Sequence, residues 1–128
     1  MRPEAIAEYI SRYDKAIEVC VGNYWEVARL LGNKLIAAVD VKKTEVPAGI
    51  RFYIDDVTSP KLDIYRKADV IYSIRPPPEL WNDILALAMK ANADCLIRPM
   101  GNEFLNFPFK LVNYKGERFY IAERNSII

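Results

Sequence analysis

Apolar residues recur along this chain in two rhythms, one suited to helices and one to buried strands. Ile6 and Ile10 lie four apart with Tyr9 and Tyr13 beside them, which predicts an amphipathic helix over 3–13. The run AIEVCV at 16–21 reads as a buried strand ending at Gly22. In 24–31 (YWEVARLL), Val27, Leu30 and Leu31 share one helical face, and Gly32 supplies the stop. KLIAAV at 34–39 predicts a second strand ending at Asp40, and IRFYI at 50–54 a third ending at Asp55 and Asp56. A helical turn near 61–67 leads to a fourth strand at 69–74 (DVIYSI). Pro76, Pro77 and Pro78 then break the chain and leave a proline for the first turn of a helix over 79–91. In that helix Leu80, Ile84, Leu87, Ala88 and Ala91 recur at helical spacing. A fifth strand follows at 94–98 (DCLIR), and 110–114 and 118–122 flank Lys115-Gly116 as a β-hairpin.

Strand and helix alternating over five strands predict an α/β protein. Its mostly parallel sheet lies in a three-layer, Rossmann-like arrangement and closes on a C-terminal β-hairpin. Near-continuous apolar strands fit that class, because parallel strands are buried on both faces. At 128 residues, 52% of them apolar, the chain is expected to be one domain, 1–128. One link is unusual. Residues 41–49, which include Pro47 and Gly49, are fewer than a parallel crossover normally takes. Either the crossover is extended or the third strand lies elsewhere.

Composition narrows the chemistry. Eighteen basic and 17 acidic residues leave a formal charge of +1, which argues against electrostatic capture of long nucleic acids or anionic membranes. With no histidine, Ser-His and Cys-His nucleophile pairs and His-ligated metal sites are excluded. Cys20 and Cys95 stand 75 positions apart in apolar runs and read as buried thiols, not as a zinc knuckle or redox pair. No apolar run is long enough to span a membrane, and MRPEAIAEYI does not read as a signal peptide, so a soluble cytoplasmic protein is expected. GxGxxG and GxxxxGK[ST] are both missing. Asp55, Asp56 and Glu103 are oxygen donors suited to Mg²⁺, but acidic pairs at strand ends are common and no metal is assigned.

Ligands of open α/β sheets bind outside the carboxyl ends of the strands. Polar residues collect at those ends here: Gly22 and Asn23, Asp40, Asp55 and Asp56, Ser73 and Arg75, then Arg98, Asn102 and Glu103. Carboxylates thus occupy one half of the edge and guanidinium groups the other. Arg75 and Arg98, on adjacent strands, read either as a small anion site or as partners of carboxylates such as Glu79 or Glu103. Trp25 and Trp81 suit either base stacking or the core. The segment 104–109 (FLNFPF) reads as a lid, a dimer contact or a loop packed on the sheet.

The run Glu18-Val19-Cys20-Val21-Gly22 resembles the first motif of Rossmann-type, S-adenosylmethionine-dependent methyltransferases. In that family an acidic residue closes the strand, and glycines admit the cofactor's amino-acid tail. Asp40, 18 residues beyond Gly22, matches the carboxylate that accepts both ribose hydroxyls. Asp55 and Asp56 stand where the family places an acidic residue beside the adenine amino group. The resemblance implies S-adenosylmethionine as cofactor, held by Glu18, Gly22, Asp40, Asp55 and Asp56. Ser73, Arg75, Arg98 and Glu103 would border the methyl acceptor. More narrowly, EVCVG, DDV and YSIRPPPEL together resemble a small uncharacterised archaeal family of truncated methyltransferase-like proteins.

Two features set the chain apart from the methyltransferase pattern. Cys20 and Tyr24 occupy two of its three glycine positions. Arg75 opens a Pro-Pro segment where amine methyltransferases carry Asn, and a guanidinium donates hydrogen bonds but accepts none. Little chain remains for an acceptor pocket, so a homodimer or partner protein would complete it. The alternative reading is a degenerate, non-catalytic Rossmann domain serving protein interaction. RNA association, the third reading, rests on Arg75 and Arg98 alone.

Overall fold

A computed structural model describes residues 1–125. Seven strands form one sheet: β1 (Ala16–Val19), β2 (Leu35–Asp40), β3 (Phe52–Ile54), β4 (Val70–Ile74), β5 (Asp94–Arg98), β6 (Lys110–Tyr114) and β7 (Glu117–Ala122). Their spatial order is β3-β2-β1-β4-β5-β7-β6. The first five pair in parallel, and β7 pairs antiparallel with both β5 and β6. The α/β class, the mostly parallel sheet and the closing hairpin are as the sequence predicts. Lys115 and Gly116 both take positive φ, 49° and 84°, the twist that joins two hairpin strands without splaying them.

Strand alternation sorts the core into two faces. Ile17, Val19, Ile71, Cys95 and Ile97 face α3 (Trp81–Ala91), which contributes Ile84, Leu87 and Ala88. Ala16, Val70, Tyr72 and Leu96 face the opposite layer, where α1 (Pro3–Ile10) brings Ile6 and Ile10 and α2 (Glu26–Leu31) brings Val27 and Leu31. The three layers follow directly from this alternation.

Several boundaries differ from the sequence reading. The first helix stops at Ile10, and the Ser11 hydroxyl bonds back to the Ala7 carbonyl, so residues 11–13 form turns. β1 ends at Val19, two residues early, because Cys20 adopts a left-handed φ of 55°. Leu30 is exposed and Ala28 takes its place on the buried face of α2. The doubtful link is an extended crossover. Residues 41–51 carry no helix, yet β3 pairs parallel to β2, with Ala38 opposite Phe52 and Asp40 opposite Ile54. Val46 and Ile50 anchor the crossover against Trp25, Ala28 and Ala38.

Candidate functional site

The strand order reverses between β1 and β4, and parallel sheets open a cleft at such a switch, beyond the carboxyl ends of the strands. Both strands leave the sheet there through a non-glycine residue at positive φ, Cys20 at 55° and Arg75 at 53°. That conformation costs an ordinary L-residue about 1–2 kcal/mol. The other two such residues have local explanations, Asn92 capping α3 and Lys115 making the hairpin turn. The pair at the switch has no such local role.

Asp40 joins the first two strand ends. Its Oδ2 accepts the Gly22 N–H at 2.6 Å and its Oδ1 the Val41 N–H at 2.7 Å. Each carboxylate oxygen has a second lone pair left for a hydroxyl donor. Asp55 and Asp56 behave differently from each other. Asp55 is buried, accepting the Tyr65 hydroxyl at 2.6 Å and the Lys61 N–H at 3.2 Å. Asp56 is exposed and accepts the Thr58 hydroxyl at 2.7 Å and its N–H at 2.9 Å, bonds that hold its carboxyl below the usual range.

Asp40, Asp55, Asp56 and Cys20 all line one cavity of about 240 Å³. Its walls are apolar, built from Val39, Val41, Val57, Pro77 and Leu80. Burial pushes the Cys20 thiol up to about 12, with the Asp40 charge acting in the same direction, so it stays protonated. A larger hollow of about 470 Å³ lies where α2 meets residues 44–47 and carries no comparable cluster of carboxylates. A third, of about 210 Å³, runs between α3 and the loop that displays Phe104 and Phe107, both largely exposed. The Trp81 Nε1–H beside it is buried without a partner among the described residues.

The remaining residues singled out from sequence are placed otherwise. Glu18 is 1% exposed and shares the α1–α2 face with Tyr72, whose hydroxyl donates to it at 2.7 Å. Burial pushes the Glu18 carboxyl up to about 8 against the pull of that bond, and Glu18 does not line the cavity that Asp40 borders. Ser73 is fully buried, its hydroxyl donating to the Val19 carbonyl at 2.7 Å, which ties β4 to β1. Arg98 pairs with the buried Glu117 at 2.8 Å and also binds the Pro99 and Met100 carbonyls. Glu103 accepts the Gly101 N–H within its own loop. Arg75 and Arg98 therefore do not combine into one anion site. Arg75 instead stacks its guanidinium 4.9 Å from the centre of the Tyr24 ring. Tyr65, Pro77, Leu80 and Glu117 were not legible as site residues in the sequence. Nothing local in the chain signals their partners, which lie 10 to 115 positions away.

Among the described residues no helix is long and apolar enough to cross a membrane, and no group of three or more Cys, Asp or Glu is placed to hold a metal ion.

The sheet order, with its reversed final strands, defines a Rossmann-like fold of the methyltransferase type. Solved structures agree. A putative methylase from Haemophilus influenzae matches at a TM-score of 0.56 over 94% of this chain and 95% of its own, with 14% identity. The antibiotic-resistance methyltransferase Kmr matches at 0.55, covering 97% and 93%, also at 14% identity. A putative methyltransferase from Streptococcus mutans, solved with S-adenosylhomocysteine, matches at 0.51 over 94% and 95%, at 12% identity. At such identities the likeness is one of fold.

The family itself is set by sequence: residues 2–124 match the model of the uncharacterised protein family UPF0146, and the chain belongs to it. A relative of that name from Archaeoglobus fulgidus is 43% identical, covering 94% of this chain and 95% of the relative. Another from Methanocaldococcus jannaschii is 37% identical over 97% and 98%.

Proposed function

We propose that this protein binds S-adenosylmethionine or a related adenosyl ligand at the carboxyl edge of its sheet, as a methyltransferase. The observation that carries this reading is Asp40, at the end of β2, on the rim of an apolar cavity at the switch point. Apolar walls suit the faces of a purine, and an acceptor-only carboxylate suits two ribose hydroxyls. At about 240 Å³ the cavity falls below the roughly 300–1,000 Å³ that takes drug-sized ligands. It is suited to the nucleoside half of such a ligand, with the tail passing over the 20–24 turn. Asp55, held by Tyr65, shapes the cavity wall, while Asp56 stands at its exposed edge. Methyl transfer needs no histidine, since proximity and in-line orientation supply much of the rate.

Isothermal titration with S-adenosylmethionine and S-adenosylhomocysteine, with Asp40→Ala as control, tests the reading. Micromolar binding lost in the variant supports it. Absence of heat at millimolar ligand overturns it in favour of a second reading, a non-catalytic Rossmann domain. That second reading draws on Cys20 and Tyr24 at two glycine positions of the motif and on the Arg75–Tyr24 stack beside them.

A further inference from the structure

We propose that Arg75 is the anion anchor of the cleft, gripping a negatively charged group carried on the 5′ side of the bound nucleoside. This rests on the adenosyl-ligand reading of the cavity. Four features of Arg75 point to the role. It directly follows β4, on the other side of the switch from Cys20, which directly follows β1. Its segment also builds the cavity, through Pro77 and Leu80. Its backbone is held at φ 53°, fixed by its own N–H donating to the Arg98 carbonyl at 2.6 Å. Last, its exposed guanidinium rests on Tyr24 and makes no ion pair among the described residues.

Arg12 and Arg118 likewise rest on rings, but Arg75 does so at the switch point. Arg29, Arg66, Arg98 and Arg124 are each held by a carboxylate. Arg75 is oriented by a ring instead, which fixes the plane of the fork and leaves its N–H donors uncommitted. A planar fork with free donors is the geometry that takes carboxylate or phosphate in two parallel bonds. Left-handed backbone at a non-glycine residue is also the kind of strain that collects at ligand clamps. The cavity accommodates the nucleoside half only, so the anchor requires that what extends from the ribose 5′ carbon leave it past the 20–24 turn, where Tyr24 carries Arg75.

Two ligands share this chemistry: a nucleoside bearing an amino-acid carboxylate, and a nucleoside 5′-phosphate. Titrating the intact protein with adenosine, S-adenosylhomocysteine and adenosine 5′-monophosphate separates them. Adenosine sets the baseline for the cavity. At least one of the two charged ligands is expected to bind roughly tenfold tighter than adenosine, and the stronger one identifies the source of the anion. Arg75→Gln should abolish that difference and leave adenosine unchanged, and Arg75→Lys should restore part of it. Arg75→Gly, which tolerates the same φ, should act like the Gln variant if that one unfolds. The added affinity should also fall with rising salt. If adenosine binds but neither charged ligand binds better, or if Arg75→Gln weakens all three alike, the anchor is refuted and the cavity stands. If adenosine itself does not bind, the adenosyl reading fails and the anchor fails with it.

Discussion

Replacing Glu18 with Gln tests whether the acid of the first motif is a neutral, buried group. Glu18 is surrounded by Ala16, Tyr72 and the α1–α2 layer, with the Tyr72 hydroxyl as its hydrogen-bond partner and no cation beside it. Burial raises its carboxyl from 4.5 to about 8 in the folded chain. Between those values the native state keeps a proton that the unfolded chain has released. Unfolding free energy then falls by about 1.4 kcal/mol for each pH unit gained. The stabilisation is complete below pH 4.5, is lost progressively up to about 8, and is gone above it. The full window corresponds to about 5 kcal/mol, a large part of the 5–15 kcal/mol that holds a typical domain together.

Glutamine mimics the protonated acid in shape and carries no titration. The expected result is equal stability of the two proteins near pH 4.5 and a growing advantage for Glu18→Gln up to pH 8.5. Guanidinium unfolding midpoints at half-unit pH steps read this directly. The window is unusually clean, because the chain has no histidine and the α-amino group is common to both proteins. Ligand affinity at pH 7 should change by less than about twofold, since the wild-type carboxyl is already neutral there. Parallel stability profiles from pH 5 to 8.5 would refute the reasoning, showing that Glu18 is ionised in the fold.

Other outcomes follow from the same contacts. Arg98→Met takes the guanidinium from the buried Glu117, which keeps the Arg2 N–H at 2.9 Å, and should cost about 1.5–3 kcal/mol by chemical denaturation, and an unchanged stability would contradict a buried pair. Tyr65→Phe removes the hydroxyl that Asp55 accepts and should cost about 1–3 kcal/mol and weaken adenosyl-ligand binding, with an unaltered melting temperature counting against it. Cys20, on the cavity rim but pushed up to about 12, should react with iodoacetamide at pH 8 far more slowly than a free thiol. Labelling at the free-thiol rate would show that the rim is open and the thiol ordinary.

How much of this was legible in the chain depended on whether the signal was local. Ile17, Val19, Val39 and Ile71 announce buried parallel strands by apolar runs alone, and Lys115-Gly116 announces its hairpin by turn chemistry. The β2–β3 crossover was ambiguous because an extended link leaves no periodicity to read. Its anchoring by Val46 and Ile50 onto Trp25 is a tertiary fact. Strand-end carboxylates were visible as residues but not as roles. Asp55 and Asp56 are neighbours in sequence, yet one turns inward to Tyr65 and the other outward to Thr58. No rule of composition separates them.

The same limit explains the arginines, and through them the character of the cleft. Arg75 directly follows β4 and Arg98 ends the adjacent β5, one position out of register, since Arg98 pairs with Ile74. What divides them is β7, which brings Glu117 to Arg98 from 19 positions away. With Arg98 neutralised, Arg75 has no ion pair among the described residues and rests on Tyr24, while Asp40 holds the Gly22 N–H of the same turn. On the reading proposed above, an acceptor-only group on one rim and a donor-only group on the other would select a ligand that has hydroxyls at one end and negative charge at the other. Asp40→Ala and Arg75→Gln should therefore fail differently. The first should weaken adenosine itself, and the second only its charged derivatives. Identical losses in both variants would mean that the two rims do not read separate ends of one ligand.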